Sequence, residues 1–552
     1  MNEIPNAPPA IAEELPGYSD IEIKEHTTQQ DEKTHTEILL KFIEEKIHCK
    51  IKSANDSSKV FVLISTNNHK ETVELGSQQA INWLKSEYYK SANKVFGEES
   101  YKQALSLIKA KSLFDEKIET KNIYKRIAFV NGEIHYDLGT NNWNIVKTTS
   151  ESVDICEHGK DGTMFYRNIS QCEQVKPHLD YVGNPLEELT TLTRIKGELF
   201  KVHLIANFIE DIPVPAMAFL GEQGSIKSTV SAIIKYVVDP TGTKLEDQLS
   251  HFPKSMDDLN IHLANNYLTA FDNVSYISEE SSDTLCKAIT GASYPKRTLY
   301  SNTDESILKY QRKIILNGIT VNVDQADLAE RTIQYFTEKV PENERLTSRK
   351  VMAQFKQLLP RLLGQIFVTL QKAIPLYDKV QHELTKLPRM ADFMIWGESI
   401  SRALGNKENQ FVTLYNKSLD KGSELLNENS PIIPFLEELL RTDTAVDMQA
   451  LHFHSKFKKY AIDNHFETDG RNFPKSSTKI RGYLRRVKPT LDHENYRIEM
   501  ERNTSNARFT KGATIVKIKK LSSPSSLSSP QARLDSTLGE HSERSEDSLE
   551  DL

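Results

Sequence analysis

The sequence predicts a mixed α/β protein whose centre is a largely parallel sheet flanked by helices. Three observations support this fold class. Apolar runs of strand length (PAMAFL, NYLTAFD, RKIILNGI) alternate with helical segments from 186 to about 420. A mixed α+β N-terminal region, 35–185, precedes this core and is rich in strand signals near 124–182. A shorter region, 432–520, follows it and is dominated by Lys and Arg. The expected organisation is a disordered arm (1–34), the N-terminal region (35–185), the core (186–345), a helical region (346–425), the basic module (432–520) and a disordered tail (521–552). The arm is poor in apolar residues, and the tail is Ser-rich and then acidic.

Within the N-terminal region, VFVLIS (60–65) reads as a buried strand and QQAINWLKSEYYKSANKVF (78–96) carries apolar residues at helix spacing. RIAFVNGEIHYDLG places Asn131-Gly132 between two strand-like runs, a strong hairpin signal. NWNIVKTT and GTMFYRNI extend the β-rich stretch, and SRKVMAQFKQLLPRLLGQIFVTLQKAI begins the helical region.

Composition bounds the function. Of 552 residues, 38% are hydrophobic and 27% charged, which is ordinary for a globular protein, and the net charge of −7 is mild. Cys49, Cys156, Cys172 and Cys286 have no C-x-x-C spacing, so neither a zinc site nor a disulfide framework is indicated. The start lacks the basic flank and apolar run of a signal peptide, and no stretch approaches the ~18 apolar residues of a membrane helix. A soluble, cytoplasmic protein without membrane partners is expected.

The chemistry concentrates in GEQGSIKST, 221–229, which nearly matches the phosphate-binding pattern G-x-x-x-x-G-K-[ST]. An apolar run precedes it and an amphipathic helix follows, ended by Asp239-Pro240, so strand, Gly-rich turn and helix stand in the required order. Backbone N–H groups of Gly221, Glu222, Gln223, Gly224, Ser225, Ile226 and Thr229 would face phosphates, Lys227 would reach the β/γ-phosphates, and Ser228 would ligate Mg²⁺. Ile226 stands in place of the second glycine. A positive φ there would strain a β-branched residue, whereas a right-handed turn already begun at 226 would not.

Three further pieces follow in order. NNYLTAFDN ends an apolar strand in Asp272, where a carboxylate would hold the Mg²⁺ water shell. RKIILNGI ends in an amide, Asn317, and QADLAERTIQYF places Arg331 in a helix or at its start. An amide near the γ-phosphate and an arginine donated to a neighbour's ATP would stabilise the transferring charge. Together the four pieces predict a P-loop NTPase core.

GEQGSIKST, FDNVS, SDTLCKAITGASYPKRTLYSNTDE, KIILNGI and DLAERTI resemble a family of virus-, plasmid- and integrated-element ATPases. That family belongs with superfamily 3 helicases and virus-type primase-helicases, in the AAA+ group. RMADFMIWGESISRALG and RIAFVNGEIHYDLGTNNWNIV resemble its helical region and pre-ATPase module, so the likeness covers roughly 80–420. It implies an AAA+-like core, Lys227 and Ser228 as Walker A residues, Asp272 as Walker B, Asn317 as sensor and Arg331 as arginine finger. It also implies a DNA-facing basic loop carrying Lys296 and Arg297. The sequence departs from the pattern at Ile226 and at Asn273, where many relatives carry a second acid. Asn273 cannot take a proton but can orient the attacking water; Glu279 or Glu280 are the nearby carboxylates.

In the basic module, 451–520 holds 17 Lys/Arg against 7 Asp/Glu. MQALHFHSKFKKYAIDNHF reads as an amphipathic helix. FPKSSTKIRGYLRRVKPTL reads as a second, crowded with Lys479, Arg481, Arg485, Arg486 and Lys488. ENYRIEMER and ATIVKIKK read as a hairpin, giving a winged-helix-like module with the second helix in a DNA groove. The sequence thus points to an oligomeric, ring-forming ATP- and Mg²⁺-dependent helicase or helicase-like replication ATPase acting on single-stranded or forked DNA. A DNA-binding switch or loader without unwinding activity is the alternative.

Overall fold

The computed structural model describes residues 35–521 apart from 48, 67–68, 160–161, 169, 223, 298–304, 319–325, 429–430, 442, 465, 467, 469–472, 489–490, 492–494 and 505–507. The expected arm and tail lie outside these residues. The chain divides into two compact units, Met1–Leu426 and Asn427–Leu552.

The first unit opens with α1 (35–46), β1 (Cys49–Ser53), β2 (Val60–Thr66), β3 (His69–Glu74), α2 (Gln78–Ala92), α3 (Glu98–Phe114) and β4 (Thr120–Lys121). The strands form one sheet in the order β3-β2-β1-β4, whose apolar residues Val60, Val62 and Val73 pack with Leu84 and Leu105 of the helices. Ser77 caps α2 by accepting from Ala80 N–H. Next comes an antiparallel meander of β5 (Ile127–Val130), β6 (Glu133–Asp137), β7 (Asn144–Thr148) and β8 (Val153–Glu157). Asn131 (φ +54°) and Gly132 (φ +78°) form the turn from β5 to β6 that the Asn-Gly pair predicts. GTMFYRNI does not extend the meander: Phe165 makes an isolated bridge to Tyr124.

After α4 (Pro185–Thr193) and α5 (Glu198–Ala206), the core alternates strand and helix. Its elements are β9 (Ala216–Leu220), α6 (Lys227–Val238), β10 (Ser250–His251), α7 (Met256–Asn265), β11 (Leu268–Asp272) and α8 (Glu279–Thr290). They continue with β12 (Ala292–Arg297), β13 (Glu305–Tyr310), β14 (Lys313–Gly318), α9 (Ala326–Ala329) and β15 (Thr332–Phe336). Five strands form a parallel sheet in the order β10-β11-β14-β9-β15. Every residue of β9 is buried, as expected of a parallel strand covered on both faces. Among the described residues β12 and β13 pair only with each other, as an antiparallel hairpin inserted between α8 and β14. The stretch expected as a basic loop is therefore a strand in its first half. TIQYF is likewise a strand, leaving α9 as a short helix that ends before Arg331.

The helical region comprises α10 (Ser348–Ala373), α11 (Tyr377–Glu383), α12 (Ala391–Ala403) and α13 (Gln410–Glu428). Gly364 of α10 lies so close to the His178 carbonyl that a Cβ there would collide with it. One buried ion cluster ties the meander to the core. Arg126 is fully buried; its guanidinium donates to Asp239 Oδ1 at 3.1 Å, Asp137 O at 2.9 Å and Cys172 O at 2.8 Å. Asp239, just after α6, also accepts from Lys235 Nζ at 2.8 Å and from the N–H groups of Tyr267 and Leu268. These bonds offset the cost of taking the three charges out of water.

The second unit holds α14 (Ile432–Leu439), β16 (Ala445–Gln449), α15 (Ala450–Asp463), α16 (Ile480–Arg486), β17 (Tyr496–Arg502) and β18 (Thr514–Lys520). Its antiparallel sheet has the order β16-β18-β17, and its core includes Phe435, Phe453, Phe457, Ile480, Leu484 and Val516. The sequence pattern anticipates α15, α16 and the β17–β18 hairpin but neither α14 nor β16. Among the described residues no helix is long and apolar enough to cross a membrane.

Candidate nucleotide site and nucleic-acid surfaces

Three parallel strands end together. Asn317 of β14 is in register with Phe219 of β9, and Leu316 with Phe271 of β11. The glycine turn after β9, Asp272 and Asn317 therefore share the C-terminal edge of the sheet, where open α/β sheets hold their ligands. The strand bearing Asp272 is not next to β9; β14 lies between them, which puts Asn317 in the middle of the site.

The turn is shaped by two glycines for different reasons. A Cβ on Gly221 would collide with the carbonyl and hydroxyl oxygens of Thr337, whereas Gly224 adopts φ +85° in open space. Ile226 has φ −83° and ψ +23°, so the right-handed turn has begun and the β-branched side chain is unstrained. Helix α6 starts at Lys227 with no side-chain cap and no acidic residue in its first turn. Its leading N–H groups thus lack an intrahelical partner and face the turn as anion donors. Gln223 lies outside the described residues; Glu222 and Ser228 are exposed, and Ser225, Ile226 and Thr229 are half-buried.

Lys227 Nζ donates to Gly221 O and Glu222 O at 2.7 Å each and lies 3.1 Å from Ser225 Oγ. Burial lowers its pKa, and the negative charge of Asp272 opposes that shift. The Ser228 hydroxyl donates to Asp272 Oδ1 at 2.9 Å. These are hard oxygen donors of the kind Mg²⁺ takes. Among the described residues no group of three or more His, Cys, Asp or Glu gathers. The pair fits an ion whose other ligands are phosphate and water oxygens, the usual Mg²⁺ arrangement.

Asn317 is fully buried, and both ends of its amide are engaged: Oδ1 accepts Asn273 N–H at 3.1 Å and Nδ2 donates to Ser231 Oγ at 3.2 Å. Asn273 sits at φ +54°, and its exposed side chain makes no hydrogen bond among the described residues. Glu279 and Glu280 are exposed in the first turn of α8.

Arg331 is not in the helix or at its start, where the sequence pattern put it, but after α9, just before β15. Thr332 pairs with Ala216, the first residue of β9. Arg331 therefore lies at the opposite edge of the sheet from Lys227, about 15 Å away along a strand of ~3.3 Å per residue. It serves no phosphate held by its own turn. Its guanidinium is buried and paired with Asp327 at 2.5 Å, while Nε finds no hydrogen-bond partner among the described residues. Arg389, which the sequence pattern does not single out, bonds Asp327 and Glu330 at the same corner.

The segment after β15 also escapes sequence reading. Thr337 N–H donates to Leu220 O at 2.7 Å, and Thr337 Oγ1 lies 2.9 Å from Ser225 Oγ. Arg345 is exposed, with one terminal nitrogen 4.0 Å from the position of a Cβ on Gly224. Neither residue belongs to a recognisable pattern; only the fold over the turn reveals them.

Of the candidate DNA contacts, Lys296 and Arg297 occupy the last two positions of β12, with side chains outside the described residues. In the second unit, Lys479, Arg481, Arg485 and Lys488 are exposed around α16, while Ile480, Tyr483 and Leu484 face the core; the side chain of Arg486 is outside the described residues. Arg481, Arg485, Lys488 and Arg497 line a groove of about 700 Å³ between α16 and β17.

The strand order, glycine turn and Ser228–Asp272 pair define an α/β unit with a polar site at the C-terminal edge of a parallel sheet. Over residues 185–423 the chain matches the model of the family described as actinomycete integrative conjugative element replication protein, in agreement with the resemblance that the motifs carry. No curated protein matches the chain. Among solved structures, the SCCmec type IV Cch active helicase is 12% identical, with 86% of this chain and 93% of that chain covered and a TM-score of 0.40. The apo C-terminal region of NrS-1 is 14% identical, with 88% and 98% covered and a TM-score of 0.37. JCV helicase is 15% identical, with 44% and 66% covered and a TM-score of 0.22. Likeness at these scores carries no argument about the fold, which rests on the strand order and the loop geometry above.

Proposed function

We propose that the chain is a P-loop ATPase of the AAA+ kind that acts on DNA as a helicase or helicase-like replication protein of a mobile element. The observation that carries this reading is the 2.9 Å bond from Ser228 to Asp272, made beside Lys227 at the end of a glycine turn. Residues 221–229 hold the ATP phosphates, with Lys227 leaving its carbonyl partners to meet the β/γ-phosphates. Ser228 and Asp272 hold Mg²⁺, which neutralises developing charge. Asn317 fixes the Asn273 backbone, and the free Asn273 amide orients the attacking water. Arg331 acts in trans across a subunit interface of a homo-oligomeric ring, released from Asp327. Lys296 and Arg297 of the hairpin touch single-stranded or forked DNA, and α16 of the winged-helix-like module adds Lys479, Arg481, Arg485 and Arg486. The family match supports a replication role.

A switch or loader that binds DNA without unwinding it is the second reading. It is favoured by Asn273, an amide in place of a second acid. The two are separated by measuring ATPase with and without single-stranded DNA, alongside strand displacement on a forked substrate. DNA-stimulated hydrolysis with displacement supports the motor. Stimulated hydrolysis without displacement leaves the switch, and turnover unchanged by Lys227→Ala removes both.

A further inference from the structure

A cleft of about 820 Å³ in the first unit lies among the two N-terminal sheets, the N-terminal ends of the parallel strands and the root of the β12–β13 hairpin. It is separate from the glycine turn, which sits at the opposite edge of the same sheet. Three cations line it, Lys59, Lys125 and Arg312, beside four carboxylates, Asp56, Glu210, Asp211 and Asp392. Lys59 is neutralised by Glu74 at 2.8 Å. The other two have no carboxylate partner among the described residues. Lys125 Nζ lies 5.6 Å over the Tyr166 ring, and burial together with Arg312 and Lys59 pulls its pKa down to about 7. The Arg312 guanidinium lies 4.9 Å over Tyr310 and, among the described residues, donates only to backbone carbonyls, Leu263 O and Gln311 O among them. Glu210 across the cleft is the charge that most favours the Arg312 cation, yet neither cation is held in an ion pair among the described residues, and an incoming phosphate would supply that contact to both.

The rest of the lining suits a base. Tyr124, Tyr166 and Tyr310 offer aromatic surface, the element on which successive bases of a single strand stack. The far wall carries Glu210 and Asp211, where burial and the neighbouring Asp211 push Glu210 up to about 7. Carboxyl oxygens there are acceptors for the N–H groups of a base, the N3–H of thymine among them. Position supplies the remaining argument. Ala292 pairs with Tyr310 at the base of the hairpin, so the hairpin that carries Lys296 and Arg297 is rooted at the cleft.

We propose that this cleft seats one nucleotide of a single DNA strand, its phosphate on Lys125 and Arg312 and its base among the tyrosines. The proposal rests on the reading of the chain as a DNA-acting ATPase. Two measurements on the full chain test it. Ultraviolet crosslinking of an oligo-dT bearing 5-iodo-deoxyuridine should label peptides containing Tyr124 or Tyr166; labelling confined to other segments overturns the proposal. In fluorescence anisotropy, Lys125→Gln should bind oligo-dT about tenfold more weakly, with a salt slope shallower by ~0.7, the loss of one phosphate contact. Binding of a fluorescent ATP analogue should stay unchanged. Equal affinity and slope in the variant overturn the cleft while leaving the ATPase reading intact. Failure of the unaltered chain to bind oligo-dT overturns the DNA-acting reading itself. Displacement of the oligonucleotide by an equal phosphate concentration of dTTP marks a free-nucleotide site and also overturns the strand assignment.

Discussion

The side-chain oxygen of Asn317 accepts the backbone N–H of Asn273 at 3.1 Å, joining the end of β14 to the residue after Asp272. Asn317 also reaches Ser231 on α6, so one buried amide links three walls of the site. Asn317→Ala should therefore lower kcat by about tenfold or more, the ~1.4 kcal/mol typical of such a bond. Nucleotide affinity should hold within a few-fold. Equal losses in affinity and turnover would show that Asn317 supports binding instead of positioning Asn273.

The glycine turn gives a paired test. Gly221→Ala must displace Thr337 and should abolish binding of a fluorescent ATP analogue. Ile226→Gly restores the usual residue at a position whose φ is already −83°, so it should not raise ATPase activity. It should cost about 0.5–1 kcal/mol through added backbone freedom in the unfolded chain. A several-fold gain in turnover would mean that the Ile226 side chain obstructs the phosphates.

Metal dependence should follow the Ser228–Asp272 pair. Asp272→Asn removes the carboxylate charge while preserving its shape, so ATPase should fall by at least about a hundredfold, the range for losing a key electrostatic contact. The Mg²⁺ concentration for half-maximal rate should rise in Ser228→Ala. An unchanged Mg²⁺ titration in both variants would move the ion away from these oxygens.

Arg331 and Lys227 lie on opposite edges of one sheet, which makes a mixing experiment informative. Lys227→Ala and Arg331→Ala should each be inactive alone. Mixed and reassembled, they should regain part of the ATPase if Arg331 serves in trans as proposed, since one subunit would then lend an intact Arg331 to the intact Lys227 of another. Background activity at every ratio would assign Arg331 to its bond with Asp327 alone.

Asp239 ties stability to pH. Its pKa is pushed down to about 2 from 3.8, since Lys235, Arg126 and two backbone N–H groups outweigh its burial. A depressed carboxyl contributes fully above its unfolded value and loses that contribution as pH falls through the folded one, here from about pH 4 to about pH 2. The size is on the order of 2 kcal/mol. Burial lowers the pKa of Lys235 in the same cluster, an opposing effect, but Lys235 and Arg126 stay charged throughout this acid range. Asp239→Asn should cost about 3–5 kcal/mol near neutrality by leaving charges unpaired. Denaturant melts should show that gap shrinking as pH falls towards about 2; a constant gap would contradict the assignment.

Local chemistry was legible in the sequence, whereas long-range pairing was not. The strand, turn and helix around Gly221–Val238 announce themselves because apolar period and turn residues act over a few positions. Asp272 and Asn317 are visible as polar ends of apolar strands. That β14 separates β9 from β11 is set by sheet pairing between distant segments, and no local pattern encodes it. Arg331 shows the same limit: its i,i+4 partner Asp327 and the strand that follows compete, and pairing with β9 takes TIQYF out of the helix. Thr337, Arg345 and Arg389 lie in segments without periodicity, so only their approach in space marks them. The conformation at Ile226 was left open by sequence alone, and the structure answers it.

The bonds of Arg126 bear on where the folded unit begins as well as on its stability. The matched family model begins at 185, yet the guanidinium that neutralises Asp239 comes from β5's threshold, some sixty residues upstream. Gln174 adds a donor to the carbonyls of Tyr236 and Val237, and Tyr136 one to Val238 O. A protein trimmed to the shared segment would leave the last turn of α6 bare, with a stranded ion pair at its end. The limits of the family match and the limits of the folded unit do not coincide in this chain. The meander is the back wall of the core that it closes.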